Sequence, residues 1–145
     1  MAFLEWDPRF SVKIAEIDQQ HKNLIGFINR LYEAMKPSSS QDALETAIQE
    51  LSTQAIIIDE MVKYSSYHFS TEEKYMLQYR YPDYEKHKKE HEYFINKVRI
   101  LKSDFDNGKV ILSSQIMQFL KEWLSTHILG TDKKYGPFLQ SKGLK

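Results

Sequence analysis

The sequence predicts an all-α chain: an antiparallel up-down-up-down four-helix bundle with an irregular N-terminal arm and a short C-terminal tail. Three observations predict it. Apolar residues recur at three- and four-residue steps through four long segments. Breakers separate those segments at Pro37-Ser-Ser-Ser-Gln-Asp, Tyr81-Pro82-Asp83 and Asn107-Gly108. No stretch alternates apolar and polar residues over the length of a strand. At 145 residues the chain suits one domain, with the arm at 1–17, the bundle at 18–132 and the tail at 133–145.

The arm contains Pro8 and scattered large apolar residues (Phe3, Trp6, Phe10, Val12, Ile14, Ile17). It reads as an irregular segment lying over the outside of the bundle. Asp18 is suited to N-cap a first helix running to about Lys36, whose apolar face carries Ile17, His21, Leu24, Ile25, Ile28, Leu31, Tyr32 and Met35. A second helix is expected from near Asp42 to Tyr79, with Leu44, Ile48, Leu51, Ala55, Ile58, Val62 and Phe69 at helical steps. Asp83 can cap a third, bearing His87, His91, Phe94, Ile95, Val98, Leu101 and Phe105, which Asn107-Gly108 terminates. A fourth opens at Ser113 or Ser114, carries Ile116, Phe119, Leu120, Trp123, Leu124 and His127 on one side, and ends at Gly130. The tail from Lys133 suits a single helical turn. Lengths disagree at one place. Measured from the histidines to the far end, the first helix spans roughly 22 Å and the second roughly 39 Å, at about 1.5 Å per residue. Either the second overhangs the bundle or it is broken between residues 41 and 59.

Composition excludes several function classes. Lys+Arg and Asp+Glu both number 20, so there is no electrostatic footprint for nucleic acid or an anionic membrane. With no cysteine, disulfides, thiolate metal sites and thiol catalysis are excluded. The N-terminus lacks a signal-peptide pattern and no apolar run reaches bilayer length, so a cytoplasmic location is expected.

The five histidines carry the functional signal. His87-Lys-Lys-Glu-His91 places two imidazoles one turn apart on one helix face. His68 precedes Glu72 by four residues, His127 precedes Asp132 by five, and His21 stands alone. Singly, each has an ordinary explanation, such as a hydrogen-bonded core histidine or a surface i,i+4 pair. In an antiparallel bundle, however, all five fall at the same end. Imidazoles and carboxylates without thiolate suit iron, manganese, zinc or copper, and seven ligands suit two ions better than one. A closed zinc site needs only four ligands. On a continuing helix Asp132 would point about 140° away from His127, at roughly 100° per residue. Gly130 is expected to end the helix there and turn Asp132 back to the centre.

His21, His68-x-x-x-Glu72, His87-x-x-x-His91 and His127-x-x-x-x-Asp132 together resemble the ligand set of the hemerythrin family. Trp6-Asp7, Ile17-Asp18-Gln-Gln-His21 and His127-Ile-Leu-Gly-Thr-Asp132 are similar to its bacterial branch. The segment between His21 and His68 looks longer than usual for that family. The resemblance implies two iron ions (Fe²⁺/Fe³⁺) with a bridging oxo or hydroxo group. His87, His91 and His127 would hold one ion and His21 and His68 the other, with Glu72 and Asp132 bridging. It implies reversible dioxygen binding at the less ligated iron, by an oxygen carrier, store or sensor. Electrons and a proton would pass to the oxygen together, leaving the formal charge of the buried centre unchanged and avoiding a new desolvation penalty. Phe69, Trp123, Leu124 and Ile128 are the candidate lining of the oxygen pocket, and they suit ordinary bundle core equally well. The rival reading is a di-iron enzyme or scavenger with peroxidase, nitric-oxide or iron-oxidising activity. The chain has no Glu-x-x-His motif of the ferritin-like oxidases, and its neutral imidazoles stabilise high-valent iron less. A binding protein with at most weak secondary oxidase turnover is therefore expected. Delivery to an oxygen-using enzyme is one role open to it, and a monomer is the expected state. Tyr135 reads as a plain tail residue, with a hydrogen bond near Asp132 as its alternative.

Overall fold

The computed structural model describes residues 2–36 and 43–145. A 3₁₀ turn at Pro8–Phe10 leads to α1 (Ala15–Met35), α2 (Ala43–Gln78), α3 (Tyr84–Asp106) and α4 (Ser114–Thr126). A π-helical stretch, His127–Asp132, then joins α4 to α5 (Lys133–Ser141). α1 to α4 form an antiparallel four-helix bundle. Paired contacts fix the direction of each helix. On α1 and α2, His21 lies beside His68 while Gln54 Nε2 donates to Ala34 O at 2.9 Å. On α2 and α3, Glu73 meets His91 while Lys102 Nζ lies 3.8 Å from Asp59. On α3 and α4, His91 meets His127 while Phe94 stacks with Phe119 and Trp123. Among the described residues, no helix is long and apolar enough to cross a membrane.

The α2 question is settled in favour of an overhang. The helix is continuous from Ala43 to Gln78, about 54 Å at 1.5 Å per residue. Gln54 already reaches the last turn of α1, so residues 43–53 extend beyond it. Leu44, Ile48 and Leu51 continue the apolar steps of the core-facing side, yet they stay exposed. The proposed break at 37–42 and the start near Asp42 lie outside the described residues.

Several helix ends depart from expectation. α1 begins three residues before Asp18, whose carboxylate instead accepts from Val12 N–H at 2.8 Å and Ser11 Oγ at 2.5 Å. It ties down the arm rather than capping the helix. Asp83 precedes α3 without a side-chain cap bond, whereas Ser113 does cap α4 by accepting from Ile116 N–H. Gly108 has φ +71 and ends α3 as expected, because a left-handed backbone suits a residue without Cβ. The arm is no outer strap: Leu4, Phe10, Val12 and Ile14 are buried, and Asn29 exchanges two 2.8 Å bonds with the backbone of Leu4. The tail is a nine-residue helix rather than a single turn.

Two apolar clusters result. The larger runs through the bundle and contains Leu24, Ile28, Ile58, Phe69, Phe94, Leu120, Leu124 and Ile128. The smaller joins the arm, the end of α2 and α5 through Val12, Ile14, Ile17, Met76, Tyr81, Tyr135 and Leu139. His21 stands between Ile17 of one cluster and Leu24 of the other. The histidine layer is thus sealed on both sides by hydrocarbon.

Candidate metal centre

All five histidines, Glu72 and Asp132 meet in that layer, and none is more than 2% exposed. Their positions follow from helix geometry. His68 and Glu72, like His87 and His91, sit one turn apart on the inner faces of α2 and α3. His21 comes from the inner face of α1 and His127 from the end of α4.

Asp132 arrives by a route the sequence did not announce. Gly130 does not take a left-handed conformation and does not turn the chain. Instead the helix widens: Lys133 N–H donates to Ile128 O, an i→i+5 bond, within the stretch His127–Asp132. Five residues then make roughly one circuit, so Asp132 falls beneath His127 rather than opposite it. The expected turn at Gly130 is therefore replaced by a local change of helix type.

The distances define two groups sharing both carboxylates. Glu72, His87, His91, His127 and Asp132 form one, and His21, His68, Glu72 and Asp132 the other. In each group the donor atoms lie within 4.8 Å of one another. Asp132 Oδ1 is 2.9 Å from His87 Nε2 and 3.0 Å from His127 Nε2, while Oδ2 is 2.9 Å from His21 Nε2. Glu72 Oε1 is 2.9 Å from His68 Nε2 and 3.4 Å from His91 Nε2. These separations would allow hydrogen bonds, yet His21 Nε2, His87 Nε2, Glu72 Oε1 and both Asp132 oxygens have none of acceptable geometry. Buried polar atoms without partners are costly. Their lone pairs converge on common space instead of on each other, which fits a site built for cations.

The outer nitrogens explain how three of the five imidazoles are oriented, while Nδ1 of His21 and of His87 has no hydrogen-bond partner. His68 Nδ1 bonds Gln20 Oε1 at 2.7 Å, His91 Nδ1 bonds Glu73 Oε2 at 2.9 Å, and His127 Nδ1 bonds Glu90 Oε1 at 3.0 Å. Thr131 Oγ1 donates to the same Glu90 oxygen at 2.8 Å. An acceptor at Nδ1 holds the proton there and leaves Nε2 free as a metal donor. Gln20, Glu73, Glu90 and Thr131 were not anticipated. Each adjoins a ligand in sequence, but Gln20, Glu73 and Glu90 each serve a histidine on another helix, pairings no spacing rule reveals.

Electrostatics agree. Burial holds the His68 imidazole below its ordinary pKa, outweighing Glu72 beside it, and keeps it neutral. Burial also pulls His127 down, but Asp132 and Glu90 outweigh it and push the group up to about 10. Burial and the nearby Asp132 charge would raise Glu72, yet His68 and His91 hold its carboxyl below the usual range. Asp132 is likewise lowered, with His127, His21 and His87 overcoming its burial. Both carboxylates are therefore ionised, and a cation entering the site displaces protons from imidazoles.

Of the expected pocket residues, Phe69, Leu124 and Ile128 are buried and Trp123 is half-buried. The Phe69 ring stacks on His91 at 3.9 Å, and Trp123 stacks on His127 at 4.5 Å. Leu24, one turn from His21, is buried in the same core cluster. Tyr135 is no plain tail residue: fully buried, its hydroxyl donates to Glu72 Oε2.

Comparison with known proteins gives a consistent result. The family model described as the hemerythrin HHE cation binding domain matches residues 12–139. A bacteriohemerythrin of Stenotrophomonas maltophilia is 37% identical over 135 residues, covering 93% of this chain and 80% of the relative. A myohemerythrin of Theromyzon tessulatum is 30% identical, covering 90% of this chain and 89% of its own. A solved wild-type hemerythrin superposes with a TM-score of 0.82 at 27% identity, covering 95% of this chain and 98% of that one.

Proposed function

The chain belongs to the hemerythrin family, and from that premise we propose that it binds dioxygen reversibly at two iron ions joined by a solvent-derived bridge. On this reading it carries, stores or senses oxygen, and is not an enzyme. The observation that carries the proposal is the inequality of the two ligand groups. One offers three imidazoles and the other two, while both share Glu72 and Asp132. The group with His21 and His68 would therefore leave its ion a position for an exogenous ligand. When bound, the iron pair supplies the electrons that reversible oxygen binding takes up.

The chain's own residues supply the rest. Asp132 turns Oδ1 to one group and Oδ2 to the other, Glu72 Oε1 lies between His68 of one and His91 of the other, and both carboxylates balance part of the cation charge. Gln20, Glu73 and Glu90 hold three imidazoles in the tautomer that donates through Nε2. Leu24, Phe69, Leu124 and Ile128 exclude water above the layer, and exclusion of water favours release of neutral oxygen over its escape as an ion.

Anaerobic loading with Fe²⁺ followed by air tests this directly. A visible charge-transfer band is expected that fades when oxygen is removed and returns on re-exposure. Absence of the band would remove the carrier reading. Its decay in one turnover with release of peroxide would make the protein a scavenger.

A further inference from the structure

We propose that Tyr135 is a positioning residue for Glu72, its hydroxyl holding Oε2 and so fixing the plane of the carboxylate that turns Oε1 toward His68 of one imidazole group and His91 of the other. The inference rests on the metal-centre reading above. Helix α2 sets the Glu72 Cα but not its carboxylate plane, because rotation about a terminal sp³–sp² bond is broad. Something outside α2 must choose that plane. The histidine side cannot do so alone, since Glu72 Oε1 has no hydrogen bond of acceptable geometry. Oε2 does have one, from the Tyr135 hydroxyl.

The tyrosine is itself held from several directions. Its ring stacks on that of His87, with centroids 5.4 Å apart and planes 20° from parallel, and meets the edge of Tyr81 at 6.4 Å. Val12 and Leu139 share its cluster. At the next residue, Gly136, a Cβ would stand 3.0 Å from Val12 O, so α5 lies directly against the arm. Residues 63 apart in sequence are thereby coupled: α5, clamped by the arm, orients a carboxylate on α2.

Equilibrium Co²⁺ titration, followed by visible absorption, compares the wild-type chain with Tyr135→Phe. Two ions bound by the wild-type chain test the centre itself, and failure there would sink the metal-centre reading rather than this one. Tyr135→Phe keeps the ring contacts and removes only the hydroxyl. The expected result is a loss of one ion's affinity by roughly 10–100-fold, the usual effect of removing an outer hydrogen bond to a ligand, with an altered Co²⁺ spectrum. In the wild-type Zn²⁺ form, NMR should also show a slowly exchanging Tyr135 hydroxyl proton far downfield, a measurement that does not depend on the variant's folding. Wild-type affinity and spectrum in Tyr135→Phe, or a rapidly exchanging hydroxyl, would overturn the proposal.

Discussion

His127 Nε2 lies 3.0 Å from Asp132 Oδ1, although five residues separate them. The π-helical stretch between them is what closes that gap. Such stretches are rare and tend to mark functional sites, because the widened turn has poorer hydrogen-bond geometry. Here a ligand on the correct face offsets that cost. Inserting one alanine between Leu129 and Gly130 should carry Asp132 off the layer. Metal analysis after Fe²⁺ loading would then give fewer ions per chain than wild type, with helical content retained. Full occupancy would show that the spacing is not what places Asp132.

Glu90 gives a pH signature in the metal-free protein. Its hydrogen bond from His127, partly offset by burial, holds the carboxyl at about 2 instead of 4.5. A depressed folded-state pKa contributes stability that is present above the unfolded value and lost as pH falls toward the folded one. Glu90→Gln should therefore lower the melting temperature of the metal-free chain above about pH 5. The difference from wild type should shrink between pH 4.5 and 2. A constant difference across that window, in calorimetry, would contradict the assignment.

Ile128 is fully buried next to His127. Ile128→Ala should destabilise the protein by about 2–5 kcal/mol, the usual range for such a truncation in a core. If the residue also keeps water from the centre, the oxygenated form of the variant should oxidise faster at unchanged iron content. Stopped-flow spectra and chemical denaturation separate the two effects.

The overhang of α2 predicts a contrast between residues on one apolar row. Leu44 is 73% exposed and Ile58 is 0% exposed. Leu44→Lys should change stability by no more than about 0.5 kcal/mol, as for ordinary surface sites. Ile58→Lys should prevent folding, because it buries an unpaired charge. A large loss from Leu44→Lys in urea unfolding would mean that the overhang is covered in solution.

Removing the metal is the simplest test of linkage. Ions that bind the native chain alone stabilise it in proportion to the logarithm of their concentration over Kd. Chelation should therefore lower the melting temperature, and Fe²⁺ should restore it anaerobically. No shift in either direction would argue against a resident metal.

The sequence by itself determined the bundle and the end at which its histidines gather. Those features are periodic: a four-residue step between His68 and Glu72, or His87 and His91, fixes a shared helix face wherever the helix forms. Breakers such as Asn107-Gly108 are similarly local, since φ +71 needs no distant partner. Tertiary structure alone decided the rest. Asp18 could have capped α1, but contacts from Ser11 and Val12 claimed it. The apolar row of α2 from Leu44 to Leu51 has core periodicity and no core, because α1 ends at Met35. Asp132 reached the layer by a change of helix type, and Glu90 and Tyr135 reached their partners across helices. Spacing rules see only neighbours along one helix, whereas these contacts depend on how separate helices are packed together.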